Sequence, residues 1–326
     1  MSLSSIIRST TPEDKEIYHI LKNISPKKEQ FKTLGGDAAF SKYSPICDYQ
    51  LNNRMEAGLL GTTFDLMVKL VSSHYTKDKI IFDSLLSPAT DRVISQSDAI
   101  YDLFLESEKT IEETLIKPNT DDFTISDNLI DAVSLLAKLD AYYRSGRIFR
   151  ELDSDGENYF ISKPSNEVKN EVVAMIKAFQ NAFFGVNGII HNNSLITYTP
   201  NFSTKISHAF RGIDADICID NTLFEIKSSK KLGYRVSEIS QLVAYYLSYL
   251  LDRLACSDVA GDIQRHNITR IAFYRARYNQ IEYFDVSNFA VDLLTKALSE
   301  LNSKLSMGFN TKYINANLVR QILNPS

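Results

Sequence analysis

The segment VSEISQLVAYYLSYLLDRL, residues 236–254, has the length of a helix and is apolar on nearly all of its sides. Such a helix is stable only when other elements cover it, because a helix at the surface keeps a polar face toward water. It lies between TLFEIKS and RIAFYRA, two short β-branched or aromatic segments of the kind that form strands. A buried helix between strands predicts an α/β core.

Two sequence textures divide the rest of the chain. Apolar residues recur at helical spacing from about residue 54 to 181, whereas SLITYTP, KISHAF, DADICI, TLFEIKS and RIAFYRA have the character of strands. We therefore expect an α/β fold with a mixed central sheet flanked by helices and preceded by a largely helical region. The expected parts are an irregular segment 1–55 with a helical pattern near 12–21, a helical region 56–186, a core 187–306 ending in a helix, and a polar tail 307–326.

The charge distribution limits how the chain meets a polyanion. A net charge of −4 argues against non-specific coating of nucleic acid, which depends on a positive surface. Residues 95–160 hold fifteen acidic and six basic side chains, whereas residues 205–235 hold four acidic and six basic ones. A polyanion would therefore meet the second segment.

Cysteine and histidine usage removes several kinds of site. Cys47, Cys218 and Cys256 fit neither a disulfide framework nor a metal cluster, and we expect all three to be small buried hydrophobes. The five histidines show no ligand spacing, which leaves carboxylates as candidate metal ligands. The apolar runs are too short to cross a membrane and the N-terminus lacks the layout of a secretion signal, so the expected location is cytoplasmic.

The segment GIDADICIDNTLFEIKSSKK, residues 212–231, places four carboxylates and three lysines among core-forming residues. Its pattern is typical of a β-hairpin with Asp220 and Asn221 as the two central turn residues. In that register Ile217 faces Phe224, and the apolar side chains share one face of the sheet.

The ionisable side chains Asp214, Asp216, Glu225 and Lys227 would then share the other face, with Asp216 opposite Glu225 and Asp214 opposite Lys227. Opposed carboxylates repel at this range, and a hard divalent cation such as Mg²⁺ removes the repulsion. Lys227 could orient or deprotonate a water, or stabilise charge on a phosphate oxygen. The pattern predicts a metal-assisted hydrolytic site.

A solvated hairpin with cross-strand salt bridges would use the same residues. Glu-x-Lys occurs three times, at 13–15, 167–169 and 225–227, so the tripeptide alone carries little information. Only the last occurrence lies on a predicted strand that follows an acid-bearing strand. In the following helix, Gln241 and Tyr245 are four residues apart, so both can face the sheet.

An acid near one strand end, EIK on the next strand and a helix with Gln-x-x-x-Tyr resemble the PD-(D/E)XK nuclease superfamily, in particular its RecB-type branch. The resemblance implies a restriction-endonuclease-like core over about residues 190–280. It also implies that Mg²⁺ or Mn²⁺ is held by Asp216, Glu225 and the Ile226 carbonyl, with Asp214 as a substitute for Asp216. Lys227 would activate water or stabilise the transition state.

The resemblance further implies that Gln241 and Tyr245 support the site and the DNA backbone. Upstream, GTTFD at 61–65 is similar to the helix that opens many such proteins, and Glu56 is a candidate remote acid. The helical segment between GTTFD and the core has no counterpart in the resemblance, and we expect substrate choice to depend on it.

The expected activity is hydrolysis of phosphodiester bonds, in DNA rather than RNA, in phage defence, recombination or repair. Lys230, Lys231 and Arg235 form a candidate phosphate-facing patch beside the site. The alternatives are a catalytically inactive module that binds nucleic acid or a protein, and a structural protein with a salt-bridged hairpin. A homodimer or a protein partner stays open.

Two further segments carry arginines. AFYRARYNQIEYF is typical of an ordinary edge strand, with stacking against bases as the alternative. Arg144, Arg147 and Arg150 recur at helical spacing, and pairing with the surrounding acids is favoured over contact with a nucleic-acid backbone.

Overall fold

The fold is that of a computed structural model, which describes residues 3–48, 51, 53–76, 79–116, 123–145, 152–184, 188–254 and 261–324. Its helices are α1 (Leu3–Arg8), α2 (Pro12–Ile24), α3 (Arg54–Tyr75), α4 (Thr90–Ile94), α5 (Asp98–Ile116), α6 (Asp127–Arg144), α7 (Ser154–Ile161), α8 (Asn166–Phe184), α9 (Thr204–Ala209), α10 (Val236–Leu254), α11 (Val291–Lys304) and α12 (Ala316–Leu323). Its strands are β1 (Lys32–Thr33), β2 (Ile196–Tyr198), β3 (Ile217–Ile219), β4 (Thr222–Lys227), β5 (Arg270–Arg275) and β6 (Gln280–Asp285).

The strands form one mixed sheet in the order β1-β6-β5-β4-β3-β2. Neighbouring strands are antiparallel except β4 and β5, which are parallel and are joined by α10. A parallel pair needs such a crossover, because a tight turn can join only antiparallel strands. The predicted α/β class and mixed sheet are confirmed.

Helices cover both faces of the sheet. One apolar core includes Cys218 and Leu223 together with residues of α1, α2, α10, α11 and α12. The other includes Ile217, Ile219 and Phe224 together with residues of α3, α5, α6 and α8. Strand alternation sends neighbouring side chains to opposite faces, so this division confirms the predicted apolar face of the hairpin. The helix α10 lies in the first core, between the sheet and other helices, and is buried along nearly its whole length, as the sequence predicts.

Four of the five predicted strands are confirmed as β2, β3, β4 and β5, whereas KISHAF and the single edge strand predicted over AFYRARYNQIEYF are wrong. KISHAF forms α9 instead. Ile206 and Phe210 are both buried and are four residues apart, a spacing that places two side chains on the same side of either a helix or a strand, so the pattern does not distinguish the two. AFYRARYNQIEYF is two strands, β5 and β6, with Asn279 in the left-handed conformation at φ 49° between them. β5 is central rather than an edge strand.

The chain termini are more ordered than the sequence predicts. The helical pattern near 12–21 is confirmed by α2, and the rest of the segment expected to be irregular adds α1 to the same core and the edge strand β1 to the sheet. The segment expected to be a polar tail contains α12, whose Val319 and Leu323 are buried. Both are short amphipathic elements, whose stability comes from tertiary packing rather than from local propensity.

The structure also bears on the predicted burial of the cysteines and on the predicted lack of membrane-spanning segments. Cys218 is buried, as expected, whereas Cys47 is only half-buried and Cys256 lies outside the described residues. Within the described ranges, no helix has both the length and the apolar character needed to cross a bilayer.

Candidate functional site

The hairpin of β3 and β4 has the predicted register, with Ile217 opposite Phe224. Asp220 turns the chain at φ 51°, a left-handed conformation that an aspartate tolerates better than most residues. Its carboxylate accepts hydrogen bonds from the Leu195 amide at 2.8 Å and the Ser194 hydroxyl at 2.9 Å. Asp220 is therefore a structural acid that ties the turn to the start of β2.

Asp216 lies immediately before β3, where the two strands no longer pair. Its side chain accepts a hydrogen bond from the Ile226 amide at 2.5 Å, which fills the place of a backbone acceptor on β3. The amide and carbonyl of one strand residue point to the same neighbouring strand. The Ile226 carbonyl therefore faces the same gap as the Asp216 carboxylate.

Glu225 and Lys227 lie on the face of β4 that α10 covers. Glu225 is 4% exposed, and the Lys227 ammonium donates to its Oε1. Lys227 Nζ also lies 3.3 Å from Gln241 Oε1, and Gln241 Nε2 donates to the Tyr245 hydroxyl at 2.8 Å. The structure thus brings the predicted acid, lysine and helix pair into one hydrogen-bonded chain.

The surroundings shift the pKa values of three of these groups. Burial, Glu225 and Asp65 raise the pKa of Asp216 well above its usual value, against the opposing effect of the Ile226 amide and Lys227. Burial alone would lower the pKa of Lys227, but Glu225 and Asp216 outweigh it and raise that pKa. Burial next to the same acids raises the pKa of Tyr245, so its phenol stays protonated.

Asp65, on α3, is a site residue that the sequence prediction missed. It lines a cavity of about 370 Å³ together with Asp216 and Ile226. Glu56, the acid proposed from the sequence, is nine residues earlier, about 13 Å along the helix and on its opposite side. The sequence did contain a signal for Asp65, because Asp65 is the last residue of the GTTFD segment that is similar to the opening helix of PD-(D/E)XK nucleases.

The donor set fits a divalent cation in part. Within the described residues, no group of three or more His, Cys, Asp or Glu side chains is arranged to hold a metal ion. Glu225 Oε2 and Asp65 Oδ1 are nevertheless buried and have no hydrogen-bond partner in the described part of the chain. Buried carboxylate oxygens without a partner are costly, and a hard cation is the ligand that oxygen donors accept.

The remaining predicted residues lie at the margin of this arrangement. Asp214 is exposed. Because β3 begins only at Ile217, neither the predicted pair of Asp214 with Lys227 nor that of Asp216 with Glu225 forms in the sheet. Lys230 and Lys231 are exposed, and Arg235 lies 3.5 Å from Glu238.

The two arginine-bearing segments have different outcomes. Arg144 forms the predicted pairing, with its Nε 2.7 Å from Asp140 Oδ2, and Arg147 and Arg150 lie outside the described residues. Arg275 and Arg277 are each 2% exposed and paired with buried acids. Neither of these two can stack against a base.

Gly61 sets how closely α3 approaches the end of β4. A Cβ at this position would lie 3.0 Å from Ser228 Oγ, whereas a Cβ at Gly58 in the same helix would meet nothing within 4 Å. We expect Gly58→Ala to raise the free energy of unfolding by about 0.5–1 kcal/mol through helix propensity. Gly61→Ala should raise it less or lower it.

Urea unfolding of both variants measures the difference between the two positions. Adding Ser228→Ala should restore the missing gain to Gly61→Ala, because it removes the atom in close contact. Equal gains at Gly58 and Gly61 would show that α3 can move away from β4 without cost.

The sequence matches no family model, no curated protein and no solved structure. The assignment of a function therefore depends on the side chains gathered at the end of β4.

Proposed function

We propose that the protein is a metal-dependent nuclease that hydrolyses phosphodiester bonds, in DNA rather than RNA, with a restriction-endonuclease-like core. The observation that carries the proposal is that Asp216 lines a cavity and lies close enough to Glu225 and Lys227 for both to shift its pKa, while Lys227 donates to Glu225. The order of elements also supports it, since an acid precedes β3, Glu-Ile-Lys ends β4 and the Gln-x-x-x-Tyr pair lies on α10.

A structural salt bridge alone would not produce this arrangement. A Glu–Lys pair is satisfied by its own contact, yet Glu225 keeps one buried oxygen without a partner and lies near a second acid whose pKa is raised. Burying carboxylates together lowers stability unless something compensates them. Perturbed acids beside a cavity are typical of functional sites.

Asp216, Glu225 and the Ile226 carbonyl would hold the ion, and Asp65 lines the same cavity as Asp216 and Ile226. When bound, Mg²⁺ or Mn²⁺ would supply positive charge to the phosphate oxygens and lower the pKa of a water. In the hydrolysis a water oxygen bonds to phosphorus, and the bond from phosphorus to the 3′ oxygen breaks with its electron pair on that oxygen. The water gives one proton to solvent and the 3′ oxygen takes one up, which leaves a 5′-phosphate and a 3′-hydroxyl.

Lys227 acts in this proposal as a cation rather than as a base. Its raised pKa keeps the ammonium protonated at neutral pH. Two of its three N–H groups donate to Glu225 and Gln241, which leaves one for a phosphate oxygen or for the attacking water. A fixed donor of this kind stabilises charge that develops in the transition state.

Gln241 and Tyr245 position Lys227. The Tyr245 side chain is 3% exposed and its hydroxyl accepts from Gln241, whose own oxygen accepts from the lysine. Because Tyr245 stays protonated and buried, it orients the amide and does not exchange protons with substrate.

The proposal is tested by incubating plasmid and single-stranded DNA with the protein in Mg²⁺, Mn²⁺ or EDTA. We expect cleavage with either metal and none in EDTA. Glu225→Gln should reduce the rate at least about 100-fold, because it weakens the ion site and the hold on Lys227.

Glu13→Gln is the matched control for this experiment. Glu13 belongs to another Glu-x-Lys tripeptide but is exposed on α2, so its loss should leave the rate unchanged. Metal-independent binding of DNA without cleavage by the wild-type protein would favour the inactive binding module instead.

A further inference from the structure

The lining of the cavity beside Asp216 includes two basic side chains from the helical region. Lys69 on α3 and Arg144 at the end of α6 both line the space, along with Asp216 and Ile226 from the sheet. The cavity is therefore lined by three acids, Asp65, Asp140 and Asp216, and by two cations. A site for a metal and a phosphate together needs both, because carboxylates bind the ion and cations bind the phosphate.

Both cations are held in place by an acid on their own helix. Lys69 Nζ lies 3.0 Å from Asp65 Oδ2, and Arg144 Nε lies 2.7 Å from Asp140 Oδ2. An ion pair at this helical spacing forms equally well on an exposed surface, and the Arg144 side chain is 69% exposed, but the Lys69 side chain is only 13% exposed. Lysine has three donors and arginine five, so each pair leaves donors for a further acceptor.

The size and lining of the cavity limit what that acceptor is. About 370 Å³ lies at the low end of small-molecule sites and suits one nucleotide unit of a strand. Among the described residues that line it, none is aromatic, so the cavity provides no surface for stacking bases. The group recognised there is therefore the backbone phosphate.

We propose that Lys69 and Arg144 bind the phosphate backbone of the substrate strand, so that the helical region forms half of the nucleic-acid site. This inference rests on the proposed nuclease function and extends it. It assigns phosphate contact to α3 and α6, whereas the sequence assigned it to Lys230, Lys231 and Arg235.

The test is equilibrium binding of a fluorescein-labelled single-stranded DNA oligonucleotide, followed by anisotropy at several salt concentrations in Ca²⁺. Lys69→Gln and Arg144→Gln should each weaken binding about 5-fold or more. Each should also lower the slope of log Kd against log salt concentration by about 0.7, the value for one phosphate contact on a single strand. Lys69→Arg keeps the charge and should retain most of the affinity.

Lys304→Gln is the matched control, because Lys304 is also ion-paired, with Glu16, but lies on α11 on the other side of the sheet. It should change neither the affinity nor the slope. If the Lys69 and Arg144 variants bind as tightly as the wild type with the same slope, the inference is overturned while the proposed function stands.

The parallel cleavage assay separates the two proposals. A wild-type protein that binds but does not cleave removes the nuclease function, and the slopes of the variants still decide the phosphate contacts. A wild-type protein that neither binds nor cleaves in Mg²⁺ or Mn²⁺ overturns both.

Discussion

Replacing Lys227 with methionine should lower the rate of DNA cleavage by about 10²- to 10³-fold, the usual effect of removing a donor that stabilises transition-state charge. Methionine keeps most of the side-chain volume but removes the ammonium that reaches Glu225 and Gln241. Single-turnover cleavage in saturating Mg²⁺ isolates the chemical step from substrate binding. Lys227→Arg, which keeps the charge but not the shape, should recover only part of the rate.

The same substitution also affects stability, and this effect must be separated from catalysis. Without Lys227, Glu225 is left buried without its ion-pair partner, which lowers the free energy of unfolding by about 3 kcal/mol. The double variant Glu225→Gln with Lys227→Met replaces both charges and should recover most of that loss. It should still be inactive.

Two outcomes would contradict the assignment of Lys227. Full cleavage by a folded Lys227→Met protein would remove the lysine from the mechanism. Recovery of activity together with stability in the double variant would show that Lys227 acts only through folding.

The hairpin could be predicted from the sequence because several local signals agree. Period-two alternation and a two-residue polar turn leave one register that keeps Ile217, Ile219 and Phe224 on a single face. The helix α10 could also be predicted, since its apolar character on all sides permits only a covered position. Chemistry confined to these two elements could be located without coordinates.

Asp65, by contrast, depends on a contact between elements that are distant in the sequence. Helical periodicity gives the faces of α3 but not the partner of each face, and its approach to β4 is set by Gly61 next to Ser228. The segment of β5 and its turn is predicted as an edge strand for a similar reason. Arg275 and Arg277 are buried because Glu282 and Glu171 lie on other elements, and no local pattern reports that compensation.

Asp216→Asn should stabilise the metal-free protein at neutral pH, by about 1–3 kcal/mol, the typical cost of a buried polar group without full compensation. Asparagine keeps the oxygen that accepts from the Ile226 amide but removes the charge that Glu225 and Asp65 repel. Chemical unfolding in EDTA measures the gain. Asp214→Asn is the control, because Asp214 is exposed and should change the stability little.

The pH dependence of the gain follows from the direction of the pKa shift. The folded protein holds the Asp216 proton more tightly than the unfolded chain, so the wild type loses stability as pH rises from about 4 through the raised pKa. The asparagine variant lacks this loss. The two proteins should therefore differ more at neutral pH than in acid and converge below about pH 4, where the carboxyl is protonated in both states.

Added Mg²⁺ should reverse the order of stability. An ion that binds only the folded wild type stabilises it by about 4.1 kcal/mol at 1,000 times its Kd, which exceeds the gain from the substitution, whereas Asp216→Asn loses a ligand and should respond weakly. If the variant is more stable than the wild type in EDTA but not in Mg²⁺, then the Asp216 carboxylate lowers the stability of the metal-free protein and binds the ion. If Mg²⁺ and Mn²⁺ stabilise the wild type no more than the variant, Asp216 is not a metal ligand, and its raised pKa reflects only burial and the neighbouring acids.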